Sequence, residues 1–224
     1  AATQNVYEIL FELILRKAKR LVNSDNLVLM GGCALNCAAN PKAYSFFKNV
    51  WIMPAPGDNG SAIGAVLAHK KKHIKYTPYT GLKIDACANN EDIVEHLSEH
   101  KVCGVARGMA EFGPRALGNR SLLADPRDLG IKDRVNEIKG REPFRPFAPV
   151  ILEEYAKVYF NLPVKRSPYM QFTAMCNFPD KYPGIVHVDG TSRVQTVTMR
   201  DNKPLYNLLR LWKNKTGCPM LLNT

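Results

Sequence analysis

The chain opens with apolar residues at Val6, Ile9, Leu10, Leu13, Ile14, Ala18 and Leu21, a three-and-four spacing that predicts an amphipathic helix. Two short apolar runs follow, Asn26 to Met30 and Val50 to Met53, and each reads as a strand. The first leads into Gly31-Gly32 and a small-residue helix from about Cys33 to Ala39. The second ends in Pro54-Ala55-Pro56-Gly57-Asp58-Asn59-Gly60-Ser61, and a helix with a small face (Ala62, Gly64, Ala65, Ala68) runs on to about His73. Residues 74–85 lose helical periodicity and gain Pro, Gly and Thr, which reads as a linker and places a domain boundary there. Beyond it the pattern predicts helices over 91–99, 131–138, 153–160 and 204–213. Strands are predicted over 102–106, 169–176 and 185–188, with another at the C-terminus. The order is that of an α/β chain of α+β type.

With 224 residues and 46% hydrophobic content the chain can bury a real core, and its length suits two small domains. It begins without Met inside a helical pattern and stops inside an apparent strand, so it reads as a piece of a longer protein. Cys33, Cys37, Cys87, Cys103, Cys176 and Cys218 lie mostly in apolar runs and form no CxxC pair. That favours reduced thiols over a disulfide framework and, with no signal peptide or membrane-length span, a cytoplasmic setting without a membrane partner. The pairs His69/His73 and His96/His100 have helical metal-binding spacing. They sit among charged residues, however, and read as solvated helix faces.

A net charge of +11 points to anionic partners. The cations concentrate where the backbone is stiff. Arg107, Arg115 and Arg120 flank Glu111-Phe112-Gly113-Pro114, and a second strip, residues 139–149, spaces Lys139, Arg141 and Arg145 with Gly and three prolines. Guanidinium forks beside glycine-rich backbone suit phosphate or carboxylate. The plainer reading, a solvated basic face paired with Glu111, Asp125, Glu142 and their neighbours, has no use for so rigid a backbone. Each of the two N-terminal strands is followed by a glycine turn and a helix start, a pattern that makes a phosphate cradle but is more often a plain strand-to-helix turn. Asp58, the only acid of its turn, is a candidate ligand for a divalent cation, or a helix cap. His187 to Gln195 forms a further polar turn around Asp189-Gly190, in which Arg193 is placed to join the cationic strip and His187 reads as structural.

Taken together, Gly31-Gly32-Cys33-Ala34-Leu35-Asn36, residues 56–62, 111–126, 141–149 and 187–195 resemble the NodU/CmcH carbamoyltransferase family, with the motifs in family order. The resemblance implies that residues 1–78 are the C-terminal part of an actin-like ATPase-fold (RNase H-like) carbamoyl-transfer domain. It implies that residues 79–224 are a YrdC-like domain that makes carbamoyl adenylate from ATP and carbamoyl phosphate. Gly31, Gly32 and Asn36 would line the nucleotide end of the transfer site, and Asp58 would be one metal ligand. Arg115, Lys139, Arg145 and Arg193 would hold carbamoyl phosphate and the ATP phosphates, with Arg141 and Asn223 beside them. ATP would come with Mg2+, and divalent iron would belong to the complete transfer domain, whose upstream histidine ligands this chain lacks. Family members also continue after Asn-Thr with Ser-Phe-Asn, so the resemblance implies an incomplete pocket. The implied acceptor is a hydroxyl of a small sugar- or antibiotic-like molecule. The sequence leaves the acceptor's identity and the oligomeric state, homo-oligomer included, open. A YrdC-related RNA-binding or tRNA-modification module and a silent nucleotide-binding protein are the competing classes. Against RNA, few aromatics interleave with the cations to stack bases.

Overall fold

The computed structural model describes residues 2–85 and 88–224; Cys87 lies outside the described residues. The chain is a mixed α/β protein of two compact units, Ala1–Tyr76 and Thr77–Thr224. Among the described residues no helix is long and apolar enough to cross a membrane.

In the first unit α1 (Ala2–Leu21) packs through Phe11, Leu15 and Ala18 onto Leu27, Leu29, Ala43 and Phe47. The stripe that announces this helix in the sequence is another face. Val6, Ile9, Leu10, Leu13 and Ile14 are all more than half exposed. β1 (Asn26–Leu29) and β2 (Asn49–Ile52) pair in parallel from Asn26↔Asn49 to Leu29↔Ile52. The expected helix after Gly31-Gly32 is instead a 3-10 turn, Gly32–Leu35, with a second one at Asn40–Ser45. Asn36 and Pro41 break the run, and short 3-10 pieces are what such interrupted sequences sustain. Cys33 and Cys37 therefore share no α-helical face. α2 (Asp58–Lys70) ends earlier than expected, at Lys71 in the left-handed region (φ 49°).

The second unit begins with β3 (Tyr79–Ile84), inside the stretch that reads as a linker. Among the described residues β3 pairs only with β5 (Gly108–Glu111), and its Gly and Thr suit an edge strand with a bulge, which is why the composition reads as a loop. Between them lie α3 (Asn90–His100) and β4 (Val102–Ala106). Then come β6 (Arg120–Ala124), α4 (Ile131–Ile138), β7 (Ala148–Leu152), α5 (Glu153–Tyr159) and β8 (Thr173–Met175). β9 (Thr191–Arg193), β10 (Gln195–Val197), α6 (Lys203–Thr216) and β11 (Met220–Asn223) complete the unit. The central sheet has the order β10-β7-β11-β6-β4 and is antiparallel except for β10 with β7.

β7 is buried at every position. It carries Pro149 where β10, whose pairing starts at Val150, asks for no donor. α6 starts on Asn202, whose Oδ1 accepts from the Leu205 amide at 3.1 Å, and buries Leu205, Leu208, Leu209 and Trp212 at helical spacing against the sheet. The strand expected over 169–176 shrinks to β8, because Met170 adopts φ 56°. The one expected over 185–188 is a turn, closed by Gly190 N–H donating to the His187 carbonyl.

Candidate functional site

The loop between β5 and β6 is built on one carboxylate. Glu111 Oε1 accepts from the backbone N–H of Leu117 (2.7 Å), Asn119 (2.9 Å) and Arg120 (3.4 Å), while Gly118 N–H donates to Ser121 Oγ. Gly118 is required there. It sits at φ 110°, and a Cβ would lie 2.5 Å from Leu205 Cδ2. These amides, which composition offers to a ligand phosphate, are thus occupied by the protein's own anion. Arg120 is also withdrawn from ligand binding, since its guanidinium donates to the carbonyls of Arg107, Asn119, Leu82 and Gly108. Arg120 staples β6 to β3 and β5. Arg115 lies half-buried in the same loop.

The loop's carbonyls are held from below. Leu117 O accepts from Tyr79 Oη and Gln195 Nε2, both at 3.2 Å, and Ala116 O accepts from Asn223 Nδ2 at 3.1 Å. The same Asn223 amide donates to Gln195 Oε1 at 2.7 Å, and Asn223 Oδ1 is buried with no partner. Burial pushes the Tyr79 phenol far up, so it stays a donor. Leu117 packs on Ala148, the residue opposite Asn223 across β7 and β11. Arg115 and Asn223 are therefore neighbours at the start of β7.

Phe147, buried just before β7, gathers the remaining candidates. Arg141 lies over its ring at 4.3 Å and donates from Nε to Asn136 Oδ1 at 2.6 Å. Asn136 Nδ2 in turn holds the carbonyls of Pro143 and Arg145, fixing the proline-rich strip. Lys139 caps the C-terminal end of α4, and Gly140 follows at φ 59°. Burial first, and then the charge of Arg141, lowers the Lys139 pKa; burial and Arg145 lower that of Arg141. These like charges share one neighbourhood, with Glu142 paired to Arg145 at 2.8 Å as the nearby acid.

On the other side of Phe147, its carbonyl accepts from His187 Nε2 at 3.3 Å. Burial lowers the His187 pKa, the Phe147 carbonyl and Asp189 oppose that shift, and Arg193 and Lys132 add to it. Arg193 and Lys132 therefore lie within electrostatic reach of His187. Arg141 and Asn223 adjoin the Phe147–Ala148 backbone, Lys139 and Arg145 act electrostatically on Arg141, Arg115 precedes the Ala116 carbonyl that holds Asn223, and Arg193 acts on the His187 that binds Phe147. Phe147, Asn136, Gln195 and Glu111 hold them in place, and sequence reasoning gave none of these four a site role. Only contact across the fold reveals it, although Gln195 and Glu111 lie inside the runs that drew attention.

In the first unit, Gly31 (φ 92°) donates its N–H to the Pro56 carbonyl at 2.7 Å, and Gly57 lies against Gly32. The two strand-end turns therefore meet. Around Gly31 and Gly32 a Cβ would find open space. The Asn36 side chain is taken up by Gln4 in two amide hydrogen bonds and by Ala39 N–H. Asp58 is exposed in the first turn of α2, whose N-cap is Gly57 with no side-chain hydrogen bond, so neither Asp58 nor Ser61 caps the helix. Among the described residues no group of three or more His, Cys, Asp and Glu side chains assembles. Asp58 thus has no companion ligands here, and these residues do not fit an iron site. Cys33, Cys37, Cys103, Cys176 and Cys218 are not joined in disulfides among the described residues, and burial pushes Cys218 up to about 11.

The model of the carbamoyltransferase C-terminus matches residues 94–224, and that of the carbamoyltransferase N-terminus matches residues 1–67. Nodulation protein NolNO of Sinorhizobium fredii is 34% identical, across 100% of this chain and 38% of its own. Nodulation protein NolO of Bradyrhizobium diazoefficiens is 35% identical across 100% of this chain and 47% of its own. Nodulation protein U of Rhizobium tropici is 37% identical across 89% and 38% respectively. The chain spans less than half the length of these relatives.

Proposed function

The chain belongs to the carbamoyltransferase family, and from that premise we propose that it serves ATP-dependent O-carbamoyl transfer to a hydroxyl of a small sugar- or antibiotic-like acceptor. In this reading residues 79–224 are a YrdC-like domain forming carbamoyl adenylate, and residues 1–78 are the C-terminal part of an actin-like transfer domain. The observation that supports it is Arg141 over the Phe147 ring with Lys139 and Arg145 as like-charged neighbours, on a backbone stiffened by Pro143, Pro146 and Pro149; Arg115 and Arg193 complete the set in this reading.

Bringing ATP to carbamoyl phosphate sets two polyanions against each other, and fixed cations offset that repulsion and the charge that builds in the transition state. Arginine supplies planar two-point contacts and lysine a mobile point charge. Atom balance sets the order of events. Water releases phosphate from carbamoyl phosphate, a carbamate oxygen then attacks the α-phosphorus of ATP, and pyrophosphate leaves. The acceptor hydroxyl finally attacks the carbamoyl carbon and AMP departs. Mg2+ accompanies ATP in this reading, and Asn223 Oδ1, an unused buried acceptor, suits a nucleotide N–H or hydroxyl donor. Gly31 and Gly32, open above the paired turns, serve the nucleotide end of the transfer site.

The test is AMP and pyrophosphate release from ATP by the complete protein that carries this sequence, with nucleotide affinity measured by calorimetry in the same samples. Release is expected only with carbamoyl phosphate. Lys139→Ala or Arg145→Ala, both exposed, should reduce it by about 100-fold while leaving the melting temperature in place. ATP turnover indifferent to carbamoyl phosphate, or ATP affinity unchanged in both variants, would overturn the proposal.

A further inference from the structure

A cavity of about 630 Å³ opens in the second unit and shares none of the cationic residues gathered around Phe147. Its walls include the N-terminal ends of two helices, α3 at Asn90 and α6 at Lys203 and Pro204. Asn90 Nδ2 donates to the Pro204 carbonyl at 3.2 Å and ties the two helix starts together. Arg107 stands in this wall, only 7% exposed. Its Nη1 donates to Asn90 Oδ1 at 2.8 Å, but Nε and Nη2 are buried and reach no acceptor among the described residues.

Nε and Nη2 lie on one edge of the guanidinium, the edge that grips two oxygens of a carboxylate or phosphate. The acids of the same wall are committed elsewhere. Asp201 holds Arg166 at 2.6 Å and Thr198 at 2.7 Å, and Asp85 pairs with Lys83 at 2.9 Å. A buried guanidinium with half its donors unmet is unfavourable unless an acceptor arrives. Burial lowers the Arg107 pKa, and Tyr79 opposes that shift. The start of α6 adds its dipole and Lys203 to the attraction, whereas Glu91 and Asp92 offset the dipole at the start of α3. Ile84, Met109 and Pro204 add apolar surface to a wall that also carries Asn89, Asn119 and Asn202, and the volume suits a small molecule.

We propose that this cavity is a second ligand site, which binds a small organic acid with its carboxylate or phosphate on the Nε/Nη2 edge of Arg107 and its apolar body against Ile84 and Met109. The site stands independently of the adenylate-forming reading.

The experiment is an amide-resolved NMR titration of the 224-residue chain at low ionic strength with three probes: phenyl phosphate, benzoate and inorganic phosphate. Saturable shifts are expected at residues 89–92, 107–109 and 203–206. Phenyl phosphate alone would identify a phosphate monoester, and benzoate alone a carboxylate. Arg107→Met should weaken binding about tenfold or more, and Arg107→Lys, which keeps the charge but loses the fork, should fall between. Arg145→Ala should bind like wild type, which separates this site from the Phe147 cluster. Without any anion, Arg107→Met should melt at or above the wild-type temperature, because an unmatched buried charge has been removed. Absence of saturable shifts with all three probes, or equal affinity in wild type and Arg107→Met, would overturn the site. So would an Arg107→Met variant that melts lower while the wild type binds no probe. Inorganic phosphate binding as tightly as phenyl phosphate would overturn the apolar half of the assignment.

Discussion

In residues 108–126 the amides of a glycine-rich loop converge on Glu111, and the loop rests on a fully buried strand through Leu117 and Ala148. In residues 26–61 two glycine turns of similar composition meet above a two-stranded parallel sheet, with open space over Gly31 and Gly32 and a small core centred on Leu15, Ala43 and Phe47. The first turn is closed by an internal carboxylate and holds Arg115 half-buried. The second leaves its glycines accessible and its one acid, Asp58, on the surface. Glycine-rich composition marks where a chain can present amides. Whether it does so depends on a neighbouring side chain and on how much core supports the turn.

The strongest way to break this contrast is Gly60→Ala. A Cβ at Gly60 would lie 2.1 Å from the Ala55 carbonyl and 2.8 Å from Met53 Sδ, so the turn itself must yield. A loss of about 3 kcal/mol or more is expected in the first unit. The chain has two tryptophans, Trp51 in that unit and Trp212 in the core of the other, so denaturation followed in single-tryptophan versions reports each unit separately. The Trp51 transition should move and the Trp212 transition should stay; a joint shift would mean that the units unfold as one.

Glu111→Ala tests the second loop and should cost about 2 kcal/mol at the Trp212 transition, since three N–H groups lose their acceptor. Glu111→Gln, which keeps an oxygen, should cost less. Inorganic phosphate should then raise the melting temperature of Glu111→Ala more than that of wild type, because the emptied cradle accepts an external anion. Equal gains would show that the loop collapses when its carboxylate is removed.

The smallest effect expected is at His187. Burial holds its pKa below the ordinary imidazole value of about 6.5. The unfolded chain therefore binds the proton first, and stability falls as the pH drops below that value. His187→Gln should flatten this dependence in urea midpoints taken above and below it, with little change above. An unaltered slope would remove His187 as its source.

The patterning made much of this legible. The helix at 131–138 and the strand at 102–106 stand where periodicity places them, and α3, α5 and α6 do so within a few residues at their ends. β6 and β7 escaped because their neighbours are Gly, Pro and Arg. In such company short apolar runs read as parts of a cationic loop, and only pairing with β11 makes them central strands. β3 escaped because an edge strand needs no continuous apolar face. The cations of the Phe147 cluster drew attention by type and spacing, but Arg120 did too, and it serves the backbone alone.

By itself the sequence determined the α/β class, the membership motifs and the supply of cations on stiff backbone, because these depend on residue type and short-range spacing. The tertiary structure decided what each of those cations contacts. Arg115, Arg120 and Arg107 lie within fourteen residues of chain. One lies half-buried in a loop, one is spent on carbonyls of β3 and β5, and one is buried between two helix ends with a donor edge unmet. A guanidinium's role follows from the acceptors within about 3 Å of it, and those are brought there by strands and helices far away in the chain.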